Sequence, residues 1–113
     1  MKSEIALMQS MYMAFWNKYP ELRGLLFRVE NERKRGRIRQ QEAKSTGIVS
    51  GVSDFVFFYG GKAWAIEVKR PGGKQSEKQR RWQKLIESQD ISYYIVESVE
   101  EFEEVIEEIV KKN

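Results

Sequence analysis

The stretch Asp54-Phe55-Val56-Phe57-Phe58-Tyr59-Gly60-Gly61-Lys62-Ala63-Trp64-Ala65-Ile66-Glu67-Val68-Lys69 sets two runs of aromatic and aliphatic residues on either side of a glycine pair. Such runs favour extended backbone, and the glycines supply the positive φ angles that a two-residue hairpin turn requires. Closing the turn with Tyr59 opposite Lys62 brings Asp54 opposite Glu67. Lys69, two residues beyond Glu67, then shares its face, while Trp64, Ile66 and Val68 point to the other face and belong to the core. Directly opposed side chains have Cβ atoms roughly 4.5–5.5 Å apart, where like charges destabilise unless something compensates them. A divalent cation is the natural compensation, and an oxygen donor set suits Mg²⁺ or Mn²⁺. The competing reading is an edge salt bridge between Glu67 and Lys69, with Asp54 solvated in a turn.

Outward from the hairpin, residues 4–17 carry an apolar stripe of Ile5, Met8, Tyr12 and Phe15 behind a Ser3 cap, and Pro20 ends the segment. Leu7, Met11 and Ala14 form a second stripe, so this helix lies deep in the core or meets another subunit. Residues 25–29 read as a strand, and 38–45 as a helix closed by Gly47. Pro71-Gly72-Gly73 stops the second hairpin strand. Ser76 caps a helix to about residue 88, with Trp82, Leu85, Ile86 and Gln89 on one face and Arg80, Arg81 and Lys84 on the other. Residues 91–96 form a strand. Ser98 and Glu101 make a capping box for a last helix buried through Val99, Phe102, Val105, Ile106 and Ile109. The order α-β-α-β-β-α-β-α predicts a mixed α/β sheet whose last strand returns parallel through a right-handed crossover. The chain reads as one domain over residues 1–113.

Cysteine and histidine are both absent, which excludes zinc fingers, thiol nucleophiles and every imidazole base. Chemistry here must use carboxylates, lysine, hydroxyls or a hard cation. No apolar run reaches the roughly 20 residues of a membrane span, and the N-terminus does not read as a signal peptide, so a cytoplasmic protein is expected. The net charge is only +3, but Arg23 to Lys44 and Lys62 to Lys84 each hold eight Lys/Arg, while Glu97 to Lys112 holds seven Glu. That asymmetry describes a positive face suited to a polyanion.

Gly51-Val52-Ser53-Asp54, then Glu67-Val68-Lys69, then Gln79 and Trp82, resemble the PD-(D/E)XK nuclease signature, most closely its VRR-NUC branch. Ser53 stands where that branch often has proline. The resemblance covers about residues 25–96 and implies a restriction-endonuclease-like core and metal-dependent phosphodiester hydrolysis leaving a 5′-phosphate and a 3′-hydroxyl. It implies that Asp54, Glu67 and the Val68 carbonyl hold Mg²⁺ or Mn²⁺, that Lys69 orients water or stabilises charge on the phosphate, and that Gln79 touches the water or the DNA. Ser76 and Gln79 also make a capping box, a purely structural use of the same glutamine. The first-helix acidic position of the family matches Glu4, with Gln9 the alternative. Asn31 resembles a recurrent polar position of the branch. Arg33, Lys34, Arg35, Arg37 and Arg39 before the hairpin, with Lys74, Lys78, Arg80, Arg81 and Lys84 after it, would contact phosphates. A structure-selective DNA endonuclease follows, with a homodimer resolving Holliday junctions or other branched DNA as the favoured form. The alternatives are a flap or single-strand nuclease, a non-catalytic nucleic-acid-binding module, and an interaction domain using the acidic last helix.

Overall fold

The computed structural model describes residues 3–30 and 37–113. Its elements are α1 (Glu4–Lys18), a short 3₁₀ turn (Pro20–Leu22), β1 (Leu26–Arg28), α2 (Arg37–Ser45), β2 (Phe55–Tyr59), β3 (Lys62–Val68), α3 (Glu77–Glu87), β4 (Ser92–Val96) and α4 (Val99–Lys112). This is the expected α+β order, with β1 and β4 trimmed at their ends. The four strands form one sheet in the order β1-β2-β3-β4, antiparallel except for the parallel β3–β4 pair that α3 connects. Gly60 and Gly61 have φ of +58° and +77°, which a side chain would resist, and Tyr59 pairs with Lys62 as the turn requires. The register runs on to Phe55 opposite Ile66.

One face of the sheet holds the apolar core. Phe55 and Phe57 of β2, Trp64, Ile66 and Val68 of β3, and Val96 of β4 are buried there. Leu7, Met8, Met11 and Phe15 of α1, and Phe102, Ile106 and Ile109 of α4, cover them. The Phe15 ring meets Phe57 edge-on at 5.6 Å, and Phe102 lies 5.9 Å from Phe55. Burying each such ring contributes roughly 1.5–3 kcal/mol, and this layer anchors the hairpin on which the carboxylates sit. Ser76 caps α3 by accepting Gln79 N–H, and Ser98 caps α4 by accepting Glu101 N–H, but the expected Ser98/Glu101 box is not closed, because the Glu101 carboxylate accepts from Glu97 N–H one residue earlier, at 2.6 Å. On α1, Ile5, Met13 and Trp16 are exposed, so this helix is buried along one side only.

The other face is covered in part by α3, and there the packing differs from the expectation. Leu85 and Gln89 are exposed, and the inward positions belong to Gln79, Trp82, Gln83 and Ile86. The reason is chemical: the sheet presents carboxylates to this helix, and amides match them where a leucine could not. Trp82 supplies the apolar contact, edge-on to Tyr93 at 6.1 Å. No described helix is long and apolar enough to cross a membrane.

Candidate active site

Asp54 stands just before β2, in a segment wedged against α3. Gly51 has φ +83°, and a Cβ there would lie 2.5 Å from the Lys78 carbonyl oxygen, so only glycine fits. Ser53 is fully buried and donates its hydroxyl to the Phe55 carbonyl at 2.9 Å, which closes the turn. The Asp54 carbonyl accepts from Val29 N–H at 2.8 Å. Its carboxylate Oδ2 accepts from Val68 N–H, also at 2.8 Å, and so is tied to the β3 backbone.

Glu67 comes from β3 and lies beside it. Asp54 is 4% exposed, Glu67 2% and Lys69 8%. The solvated-turn reading of Asp54 is thereby excluded. Lys69 Nζ is 3.6 Å from Glu67 Oε2, the buried ion pair that the shared face of the strand requires. Gln79 Nε2 donates to Glu67 Oε2 at 2.8 Å while its Oε1 accepts Ser76 N–H at 2.8 Å. The capping box is present, and it aims the Gln79 amide at Glu67. Tyr93 Oη donates to Glu67 Oε1 at 3.2 Å and accepts from Gln75 Nε2 at 3.3 Å, which also reaches Gln83 Oε1 at 2.9 Å.

Burial, and then the negative charge of Asp54, push the Glu67 carboxyl up to about 8. Burial also raises the Asp54 carboxyl, against the hydrogen bond from Val68. The Tyr93 hydroxyl is pushed above its ordinary range, first by burial and then by Glu67. Two carboxyls therefore lie out of water with one ammonium beside Glu67, and both resist ionisation. Such a site lacks positive charge. Its hard oxygen donors fit Mg²⁺ or Mn²⁺, which are held by one or two carboxylates with water and substrate oxygens completing the shell. Among the described residues no three acidic side chains are gathered closely enough to enclose a metal.

Glu4, half-buried in the first turn of α1, is close enough for its charge to raise Asp54. Gln9 is exposed and borders a hollow along α1 beside Ile5, Met8, Tyr12 and Met13. Lys74, Lys78, Arg80, Arg81 and Lys84 are exposed on α3 and the loop before it, and Arg39 is exposed on α2. Two of these cations already have partners: Arg80 donates to the Gln75 carbonyl at 2.8 Å, and Arg81 pairs with Glu77 at 2.9 Å. Asn31, Arg33, Lys34 and Arg35 lie outside the described residues, as does the side chain of Arg37.

Tyr93, Gln75 and Gln83 were missed by sequence reasoning. The signal for Tyr93 lay in the parallel register: Ala65 pairs with Tyr93 and Glu67 with Ile95, so odd residues of β4 share the face of Glu67. A tyrosine at such a position brings a hydroxyl to the carboxylates.

The family model of the VRR-NUC domain matches residues 7–100, a span that includes Asp54, Glu67, Lys69, Gln79 and Tyr93 and leaves out Glu4. No curated protein matches the chain.

Proposed function

The chain belongs to the VRR-NUC family, a domain of nuclease type, and from that premise we propose that it is a divalent-metal-dependent DNA endonuclease that hydrolyses phosphodiester bonds. The observation that carries this reading is the burial of Asp54 and Glu67 against each other, with Lys69 alongside. A structural ion pair needs one carboxylate; two, both pushed up in their titration, are a strained arrangement that binding of a cation relieves. The non-catalytic module gives no reason for that strain. Against an interaction surface on α4, the apolar side of that helix is core, and its Glu107 and Glu108 pair with Lys111 and Lys112.

Asp54, Glu67 and the Val68 carbonyl hold Mg²⁺ or Mn²⁺. In a strand the N–H and C=O of one residue leave on the same side, so the Val68 carbonyl faces the side on which its N–H meets Asp54. Glu4 supports the same centre from α1, by charge. When bound, the cation supplies Lewis acidity toward the phosphate and acidity to a water. Lys69 places its ammonium where negative charge develops on the phosphate. Gln79 and Tyr93 fix both oxygens of Glu67 and act through it, so Gln79 is a positioning residue. The exposed cations of α3, with Arg39, bind flanking phosphates without reading sequence.

The substrate we propose is branched DNA, a four-way junction cut by a homodimer. Paired cuts need paired sites, and the exposed Ile5, Met13 and Trp16 of α1, beside a hollow of about 460 Å³, offer an apolar surface for a second copy. The test incubates the protein and its Glu67→Ala variant with labelled four-way, flap and linear DNA, with and without Mn²⁺. Junction cleavage that needs both Mn²⁺ and Glu67 is expected. Preference for flaps would move the substrate assignment, and no cleavage of any DNA would overturn the enzyme.

A further inference from the structure

Among the described residues, the face of the sheet that carries the carboxylates is only partly covered at its other end. Alternation along β2 puts Val56 and Phe58 on the side of Asp54, and pairing adds Phe27 opposite Val56, and Ala63 opposite Phe58. Phe27 is 37% exposed and Phe58 47%, their rings 5.5 Å apart and tilted by 59°. Beside Phe58 opens a hollow of about 420 Å³ whose lining includes Leu25, Gly60, Gly61 and Ala63. Lys62, at the turn end of β3, alternates to the opposite face, where it donates to Asn113 Oδ1 at the end of α4 at 3.2 Å. Two neighbouring phenylalanines left in water on one strand pair form an apolar patch that calls for an occupant.

Resting on the nuclease reading above, we propose that Phe27 and Phe58 are a stacking platform for an unpaired base of the strand held at Asp54 and Glu67. The patch is continuous with the site: Phe58 is four residues from Asp54 on one strand, about 14 Å at the rise of a β-strand. Four stacked steps of a DNA strand, at about 3.4 Å each, cover the same distance. Every base has a flat face that can lie on an aromatic ring, whatever its sequence. In an intact duplex those faces are stacked on one another, so only a base freed at a junction, flap or single strand can reach the rings.

The test measures, by fluorescence anisotropy in a Glu67→Gln background that prevents cleavage, the binding of labelled oligothymidylate and of a fully paired duplex of equal length. Phe58→Ala and Phe27→Ala are each expected to weaken single-strand binding about five- to a hundredfold. Duplex binding should stay within about twofold, and Phe58→Tyr should keep most of the single-strand affinity. Unchanged single-strand binding in both alanine variants would overturn the platform, as would equal losses on duplex and single strand. So would a changed sedimentation coefficient of the DNA-free alanine variants, which would assign the rings to a second copy of the chain. Failure of the parent protein to bind any DNA would instead contradict the nuclease reading itself.

Discussion

Replacing Glu67 with glutamine should make the metal-free protein more stable at neutral pH. Glu67 is 2% exposed, and burial with the neighbouring Asp54 charge pushes its carboxyl from an ordinary 4.5 to about 8. The folded chain therefore keeps at pH 7 a proton that the unfolded chain has lost. The folded state binds more protons between about pH 4.5 and 8, so stability falls as pH rises through that window. At about 1.4 kcal/mol per pH unit, the penalty at pH 7 is about 3 kcal/mol. Glutamine removes it but supplies only one acceptor oxygen for the hydrogen bonds from Gln79 and Tyr93, a loss of about 1 kcal/mol. The net expectation is a gain of about 2 kcal/mol at pH 7 that vanishes near pH 5, where little of the penalty remains. Urea unfolding followed by circular dichroism at pH 5, 6, 7 and 8, in the presence of a chelator, measures it. A Glu67→Gln variant less stable than the parent at pH 7, or a difference that does not change with pH, would refute the reasoning.

Tyr93→Phe deletes the hydroxyl on Glu67 Oε1 and leaves the ring against Trp82; a 10- to 100-fold weaker apparent Mn²⁺ affinity is expected from the Mn²⁺ dependence of cleavage, and an unchanged curve would deny Tyr93 a positioning role. Lys69→Ala should lower kcat by about 10²–10³ while DNA binding stays near normal, since the ammonium acts on charge that develops during the reaction. Gly51→Ala must shift the Lys78 backbone as well as adopt φ +83°, so a loss of about 1–3 kcal/mol in urea unfolding is expected, and a neutral result would contradict the wedge. Because a cation must displace the proton that the raised Glu67 carboxyl keeps below about pH 8, Mn²⁺ should raise the melting temperature more at pH 8 than at pH 6; an equal rise would place the ion elsewhere.

The hairpin and its carboxylates were legible because one local device decides them. Gly60 and Gly61 admit only a tight turn, the turn fixes the register, and the register sets Asp54 beside Glu67 and Lys69 on the face away from the core. The family resemblance lay in the same residues. What stayed hidden depends on elements far apart in the chain. Leu85 reads as an inward residue from helical spacing alone, because periodicity says which residues share a face and not what that face meets. Here it meets carboxylates, and Gln79 and Gln83 take the inward places. Tyr93 needed the register of a parallel pair, which no tight turn dictates. Gln79 allowed a capping role from sequence, and only the geometry shows the same side chain also holding Glu67.

Diffraction from crystals grown with Mn²⁺, with data collected for its anomalous signal, decides whether the buried carboxyl pair is a cation site. The expected result is a single strong peak within coordination distance, about 2–2.5 Å, of an oxygen of Asp54 and an oxygen of Glu67. Absence of that peak at saturating Mn²⁺, with Asp54 still bonded to Val68 N–H and Glu67 to Gln79, would contradict it.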